Sequence, residues 1–287
     1  MRGTAMSMQA GYVRCLSQAG FHRMAYVDWP AAQPSAAPPV VCVHGLTRNG
    51  RDFDRLAAAL SSERWVVCPD IVGRGRSDWL NDPAGYGNQQ YCADASVLVG
   101  RLGTEQVDWV GTSMGGLIGM MLAAQPQSPI RRLVLNDVGT VLPAAALQRI
   151  GGYVGKDPRF DDLAGVEAYL RETHAGFGAI DDAGWRHLAQ HSHRRLPDGK
   201  LGLAYDPGIA RGFAKGINVD VDLTSIWDKV RCPVLVLRGA MSDLLLVETA
   251  RRMAEKAEVV EIAGTGHAPS LATPEQIEIV RSWLART

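Results

Sequence analysis

The chain is short of everything that would tie it to a membrane or to a polyanion. No stretch approaches the ~18 uninterrupted apolar residues of a bilayer span, and Met1–Ala10 lacks the apolar centre of a secretory signal. There is no excess of either charge. Thirty basic and thirty acidic side chains cancel and the pI is about 7.0, so global charge points neither to nucleic acid nor to an anionic membrane as partner. The five cysteines (Cys15, Cys42, Cys68, Cys92 and Cys232) contain no CxxC pair. Cys42 and Cys68 fall inside apolar runs with the look of core strands, and Cys232 stands at the start of another. Scattered, mostly buried thiols suit a reducing cytoplasm better than a disulfide framework, and none sits on a turn that would present it as a nucleophile.

Two motifs fall short in a similar way. Gly73-Arg74-Gly75-Arg76-Ser77-Asp78 has neither the third glycine of a dinucleotide fingerprint nor the Gly-Lys-Ser/Thr ending of a P-loop, and its glycines serve a tight turn after a strand. His187-Leu188-Ala189-Gln190-His191 has the i, i+4 spacing of a helical zinc pair but not the glutamate of HExxH, and no third ligand is suggested nearby. It is expected on a solvated helix face. No metal and no organic cofactor is expected.

What is present is the make-up of a globular enzyme, with 46% hydrophobic and 21% charged residues in 287, enough for one large α/β domain with an inserted lobe. Tyr12–Ser17 and Phe21–Val27 predict a hairpin turning at Gln18-Ala19-Gly20. After the proline-rich connector Pro30–Pro39 comes Val40–Val43, a continuous apolar run of the kind a central parallel strand buried on both faces requires. Trp65–Cys68, Val107–Val110 and Arg132–Leu135 are the next strands. Helices are expected between them, over about Asp52–Leu60 with Asp52 as cap, over Asn88–Leu102, and from Gly116 onward. Strand and helix alternating in this way imply a mostly parallel sheet with right-handed crossovers. From about Val141 to Asp222 the rhythm breaks into helical periodicity, with candidate helices at Ala144–Tyr153, Leu163–His174 and Asp181–Ser192. Strands return at Pro233–Leu237 and Glu258–Ile262. A terminal helix opens at Thr273-Pro274, threonine as cap and proline first. The expectation is an α/β core in two segments, 1–140 and 223–287, with a helical cap, 141–222, inserted between them.

The chemistry centres on Gly111-Thr112-Ser113-Met114-Gly115, a G-x-S-x-G sequence between a strand and a helix, as a nucleophile elbow requires. Ser113 needs a base, and the base needs an orienting acceptor. Of seven histidines, His267 alone lies in a glycine-flanked loop directly after a sheet strand, on the rim where open α/β sheets collect their ligands. For the carboxylate, Asp243 and Asp137 both follow strand ends, and both keep the order Ser, Asp, His. Adjacency to the last strand favours Asp243, which leaves Asp137 to bond backbone N–H groups where the chain departs for the cap. Oxyanion donors are expected from the N–H groups of Met114 and of Leu46, which follows the tight turn at His44-Gly45. His44 is expected to be packed and hydrogen-bonded in support of that loop. Arg48, Arg74 and Arg76 fall near the same rim, with Arg194 and Arg195 from the cap, and Arg48 is the candidate to bind a substrate carboxylate.

Together, His44-Gly45-Leu46, Asp70-x-x-Gly73-x-Gly75-x-Ser77, Gly111–Gly116, Gly239-x-x-Ser242-Asp243 and Gly264-Thr265-Gly266-His267 resemble an α/β-hydrolase-fold enzyme, in register from about residue 20 to the C-terminus. The resemblance implies a triad of Ser113, Asp243 and His267 with Leu46 and Met114 as oxyanion donors. It is similar to capped carboxylesterases, enol-lactone hydrolases and carbon–carbon bond hydrolases of aromatic degradation. Serine at 113 departs from the aspartate nucleophile of dehalogenases and epoxide hydrolases. Thr112 stands where several carbon–carbon hydrolases carry asparagine. The expected reaction is therefore cleavage of a small carboxylic ester, lactone or thioester through an acyl-enzyme. Carbon–carbon hydrolysis and a slow-turnover ligand receptor on the same scaffold are the alternatives. The expected partner is a small ester or carbonyl compound, and a homodimer is compatible with the sequence, which gives no specific interface.

Overall fold

Four consecutive apolar residues in each of Val40–Val43 and Val66–Pro69 leave no polar face to turn outward, and both strands are buried along their whole length. The computed structural model describes residues 8–213 and 217–286. Met1–Ser7, the greater part of the N-terminal stretch that lacks a signal's apolar centre, lies outside the described residues. An eight-stranded sheet is built from β1 (Gln9–Ser17), β2 (Gly20–Trp29), β3 (Val40–Val43), β4 (Val66–Pro69), β5 (Val107–Thr112), β6 (Ile130–Asn136), β11 (Val234–Gly239) and β12 (Glu258–Ile262). Its order is β1-β2-β4-β3-β5-β6-β11-β12, antiparallel at β1, β2 and β4 and parallel from β4 to β12. The expected hairpin is present and longer at both outer ends.

Alternation along each strand divides the core in two. Val40 and Cys42 face a cluster with Leu56, Leu60, Val280 and Trp283, supplied by α1 (Asp54–Leu60) and α9 (Pro274–Ala285). Val41 and Val43 face Leu98, Ile118 and Met253 from α2 (Asn88–Arg101), α3 (Met114–Ala123) and α8 (Val247–Met253). The α9 start is as expected, with Thr273 accepting from the Gln276 amide at 3.4 Å and Pro274 in the first turn. Asp52 is not a helix cap. A 3₁₀ turn, Gly50–Phe53, precedes α1 and is capped by Asn49, which accepts from the Arg51 amide, while Arg48 takes the Asp52 carboxylate.

Beyond β6 the chain leaves the sheet. The short strands β7 (Val141–Leu142) and β10 (Val221–Asp222) pair with each other, so the excursion departs and returns at one point. Between them lie α4 (Ala144–Gly151), α5 (Leu163–Thr173) and α6 (Asp182–His191), close to the expected bounds, together with the hairpin β8 (His193–Arg195) and β9 (Leu201–Leu203). Val166, Leu170, Trp185 and Leu188 give α5 and α6 an apolar cluster of their own. A short helix, α7 (Thr224–Trp227), leads back to β11. No helix of the described residues is long and apolar enough to cross a membrane.

Candidate active site

Ser113 occupies the turn between β5 and α3 at φ 50°, ψ −114°, a backbone conformation L residues rarely adopt. The flanking glycines are there for space. A Cβ on Gly111 would stand 2.3 Å from the Gly115 carbonyl, and one on Gly115 would stand 2.0 Å from the Val43 oxygen. Only without them can helix and strand approach closely enough to lift the serine clear.

His267, on the loop after β12, reaches back across the sheet to the elbow. Its Nε2 is 2.9 Å from Ser113 Oγ. Its Nδ1 is 2.8 Å from Asp137 Oδ2. Asp137 is fully buried, at φ 55°, and its two oxygens take three donors. Oδ1 accepts from the Gly239 amide at 2.7 Å, and Oδ2 accepts from Ser242 Oγ at 2.6 Å as well as from His267. The expected bonding of Asp137 to backbone N–H is thus present, alongside a contact with the imidazole.

The expectation for Asp243 is corrected by this geometry. Its half-exposed carboxylate is bound by Arg149 of α4 at 2.5 and 2.8 Å. Burial pushes its pKa up, but the Arg149 hydrogen bonds and charge outweigh that and hold the carboxyl below its ordinary value. The reason lies in strand order. From β12 the imidazole must pass over β11 to reach β5, and β6 is the strand beside β5. A carboxylate leaving the end of β6 therefore sits beneath the ring, while the loop after β11 swings outward to the insertion. Gly239 permits the crossing, since a Cβ there would meet the Gly266 oxygen at 2.2 Å.

Leu46 lines the same space, and Met114 follows Ser113 as the first residue of α3. Two residues hold the Leu46 loop. His44, wholly buried, contacts the Gly45 carbonyl through Nδ1 at 2.7 Å and accepts from the Ile71 amide through Nε2 at 2.9 Å. Burial pushes its pKa down to about 3, partly opposed by the Gly45 carbonyl. It is the packed, loop-supporting histidine the sequence predicts. Arg74, which sequence reasoning placed near the rim without a role, is fully buried. It donates to the Leu46 carbonyl at 2.9 Å, to the Val72 carbonyl at 2.7 Å and to Tyr91 Oη at 2.9 Å. Gly73 and Gly75 flank it at φ 83° and 55°, in accord with a tight turn. Two more residues were missed. Ser242 anchors Asp137, and Asn136 ties Thr112 Oγ1 at 3.0 Å to the Pro269 carbonyl at 2.8 Å. The serine stood beside the aspartate that drew attention, and the asparagine directly precedes Asp137.

Arg48 reaches the cavity wall, but not as a free cation. Its Nε and Nη2 bind Asp52 at 2.9 and 2.7 Å, leaving Nη1 without a partner among the described residues. The cavity encloses about 520 Å³ of empty space, mouth included, and brings Ser113, His267, Leu46, Arg48, Tyr153 and His174 together. Arg76 is exposed, and Arg194 lies against Asp157 and the Trp79 ring.

The His187–His191 pair is not on a solvated face. His187 Nε2 lies 3.1 Å from Asp54 Oδ2 and 3.2 Å from the Arg51 carbonyl, joining the insertion to the core. The third potential ligand absent from the sequence pattern is thus supplied by the Asp54 carboxylate. Arg51 already donates to Asp54 and stands 3.5 Å from His191 Nδ1, so a guanidinium holds the place a cation would take.

Over 284 residues the chain is 46% identical to a 3-hydroxybutyrate-oligomer hydrolase of Cupriavidus necator, covering 95% of this chain and 96% of the relative. A 2-(acetamidomethylene)succinate hydrolase of Mesorhizobium japonicum is 28% identical, covering 85% and 86%. Among solved structures, a hydrolase from Rickettsia typhi superposes with TM-score 0.90 at 32% identity, covering 98% of this chain and all of that one. An alpha/beta hydrolase from Novosphingobium aromaticivorans superposes with TM-score 0.87 at 35% identity, covering 98% and 99%. The model of the Alpha/beta hydrolase family matches residues 40–278, and with the elbow, the sheet order and these relatives the chain belongs to that family.

Proposed function

We propose that the protein is a serine hydrolase of small carboxylic esters, and that oligoesters of 3-hydroxy acids are its substrate class. The observation that carries the reading is the continuous relay from Ser113 Oγ through the His267 ring to the buried Asp137. Ser113 Oγ attacks the ester carbonyl while His267 Nε2 takes its proton. Asp137, accepting from Nδ1–H, fixes the tautomer and balances the imidazolium. The Leu46 and Met114 amides hold the oxyanion. Collapse expels the alcohol, which takes the proton from His267. Water, deprotonated by the same nitrogen, then cleaves the acyl-serine, so ester and water leave as acid and alcohol.

The substrate class rests on the 46% relative, which is named for 3-hydroxybutyrate oligomers, and on Arg48. Such oligomers end in a carboxylate, and Arg48 Nη1 is the donor we assign to it. The insertion 141–222 acts as a cap, supplying Arg149, Tyr153 and His174 to the cavity. The test is release of 3-hydroxybutyrate from its dimer and trimer, followed by chromatography. Wild-type protein should release monomer and Ser113→Ala should fall by at least about 10³-fold. Undiminished release by Ser113→Ala would overturn the proposal.

A further inference from the structure

The relay leaves one histidine of the cavity unused. His174 follows the last turn of α5, with its ring edge-on to Phe177 at 4.9 Å between centroids, and it lines the cavity of Ser113 and His267. Its hydrogen bonds point to one tautomer. Thr173 Oγ1 has one proton, and the Tyr169 carbonyl at 2.8 Å can only accept it. With that proton on the carbonyl, the same oxygen accepts from His174 Nδ1 at 2.8 Å, which places the ring proton on Nδ1 and a lone pair on Nε2. Nε2 has no partner among the described residues, nor is it among the buried unpartnered atoms, so it is open to the space the ring lines, which is the Ser113 cavity and the smaller one beside Tyr169 and Ser192. The ring stays neutral, because burial first, and then the charge of Arg48, push its pKa well below the ordinary value.

The position is held firmly against the catalytic loop. The Gly176 carbonyl accepts from the Gly266 amide at 2.8 Å, and the Phe177 carbonyl accepts from the Ser270 amide at 3.3 Å. A Cβ on Gly176 would come within 2.9 Å of the His267 carbonyl oxygen. Arg48 and Arg149 are donors only, the Asp52 carboxylate is taken up by Arg48, and Thr47, Thr112, Tyr153 and Thr173 bring hydroxyls that both donate and accept. His174 Nε2 thus offers the cavity an acceptor with no proton of its own.

We propose that His174 Nε2 accepts a hydrogen bond from a hydroxyl on the acyl part of the substrate, so that the site selects hydroxyacyl esters over plain acyl esters. This rests on the ester-hydrolase reading and adds the residue that recognises the hydroxyl. In a 3-hydroxyacyl ester that hydroxyl is two carbons from the carbonyl Ser113 attacks, within the reach of one cavity. An acyl group without it leaves the nitrogen unpaired, and a site built around a substrate hydroxyl discriminates against the analogue that lacks one.

The test compares kcat/KM for 4-nitrophenyl 3-hydroxybutyrate and 4-nitrophenyl butyrate, each corrected for spontaneous hydrolysis. Wild-type protein should favour the hydroxy ester by roughly 10–100-fold. In His174→Phe the ratio should collapse toward one, and in His174→Gln, whose side-chain carbonyl can still accept, it should be partly retained. The ratio is insensitive to damage that slows both esters alike. A wild-type ratio of one, or an unchanged ratio in His174→Phe, overturns the inference. If His174→Phe does not fold, the wild-type ratio and His174→Gln decide it. Failure of the wild-type protein on both esters overturns the ester reading and this inference with it, whereas turnover of both without preference overturns the inference alone.

Discussion

Replacing Asp137 by asparagine separates the two candidate acids. The buried carboxylate accepts from Gly239 N–H on one oxygen, and from Ser242 Oγ–H and His267 Nδ1–H on the other. An asparagine has one acceptor oxygen and one NH₂. With the oxygen toward His267, the NH₂ meets the Gly239 N–H head-on, a buried donor–donor conflict worth about 1–3 kcal/mol of stability. With the NH₂ toward His267, the ring must take the other tautomer, Nδ1 accepting and Nε2 protonated, and Ser113 then has no base. A wrong tautomer of this kind costs about 10⁴ in kcat in a serine protease triad, or about 5.4 kcal/mol in the barrier. Asp137→Asn is therefore expected to lower kcat by about 10³–10⁴ with KM little changed, measured on 4-nitrophenyl butyrate with active-site titration to count competent protein. Asp243→Asn, which weakens a half-exposed pair with Arg149, is expected to cost less than about tenfold. The opposite pattern, with Asp137→Asn near wild type and Asp243→Asn inactive, would refute this assignment.

Arg48→Met should lower kcat/KM on an anionic ester relative to a neutral one by about 10–100-fold, the worth of one charged hydrogen bond, and an unchanged ratio would remove Arg48 from substrate recognition. Gly239→Ala places a Cβ against the Gly266 oxygen. A loss of about 1–3 kcal/mol in denaturant unfolding, with a fall in kcat as the His267 loop is displaced, is the expected result, and wild-type values for both would contradict it. Stability should also fall with acid through His44. Its folded pKa is near 3 against about 6.5 unfolded, so the unfolded chain binds the proton first. The neutral ring's contribution is complete above pH 6.5 and is lost as pH falls from there toward 3. Between pH 6.5 and 5 this amounts to about 2 kcal/mol. The buried carboxyls Asp70 and Asp94, whose pKa values burial raises, act in the opposite sense, so the informative quantity is a difference. His44→Asn should show a shallower pH slope than wild type by that amount, and equal slopes would show that His44 does not titrate this way.

Much of this molecule is written locally in its sequence. Apolar runs too continuous for a one-sided strand mark the central sheet, a serine between glycines marks the elbow, and a glycine-flanked histidine after a strand marks the candidate base. Each depends on chemistry within about ten residues, and the structure brings Ser113 and His267 within hydrogen-bond distance. Which aspartate meets the imidazole is not a local property. Asp137 and Asp243 have nearly the same surroundings in sequence. The outcome depends on β6 lying next to β5 and on Arg149, ninety-four positions before Asp243, drawing that carboxylate away. Arg48 was legible as a rim residue, but not its bidentate capture by Asp52, and Arg74 not at all as the support of the Leu46 loop. The His187–His191 pair looked solvated because its partner Asp54 belongs to a helix more than a hundred residues earlier. Periodicity and turn chemistry are set by neighbours along the chain, so the sequence by itself determined the elements and the elbow that carries Ser113. Charge pairing and proton position are set by neighbours in space, so only the tertiary structure decided that Asp137 meets His267 and that His174 stands in the same cavity.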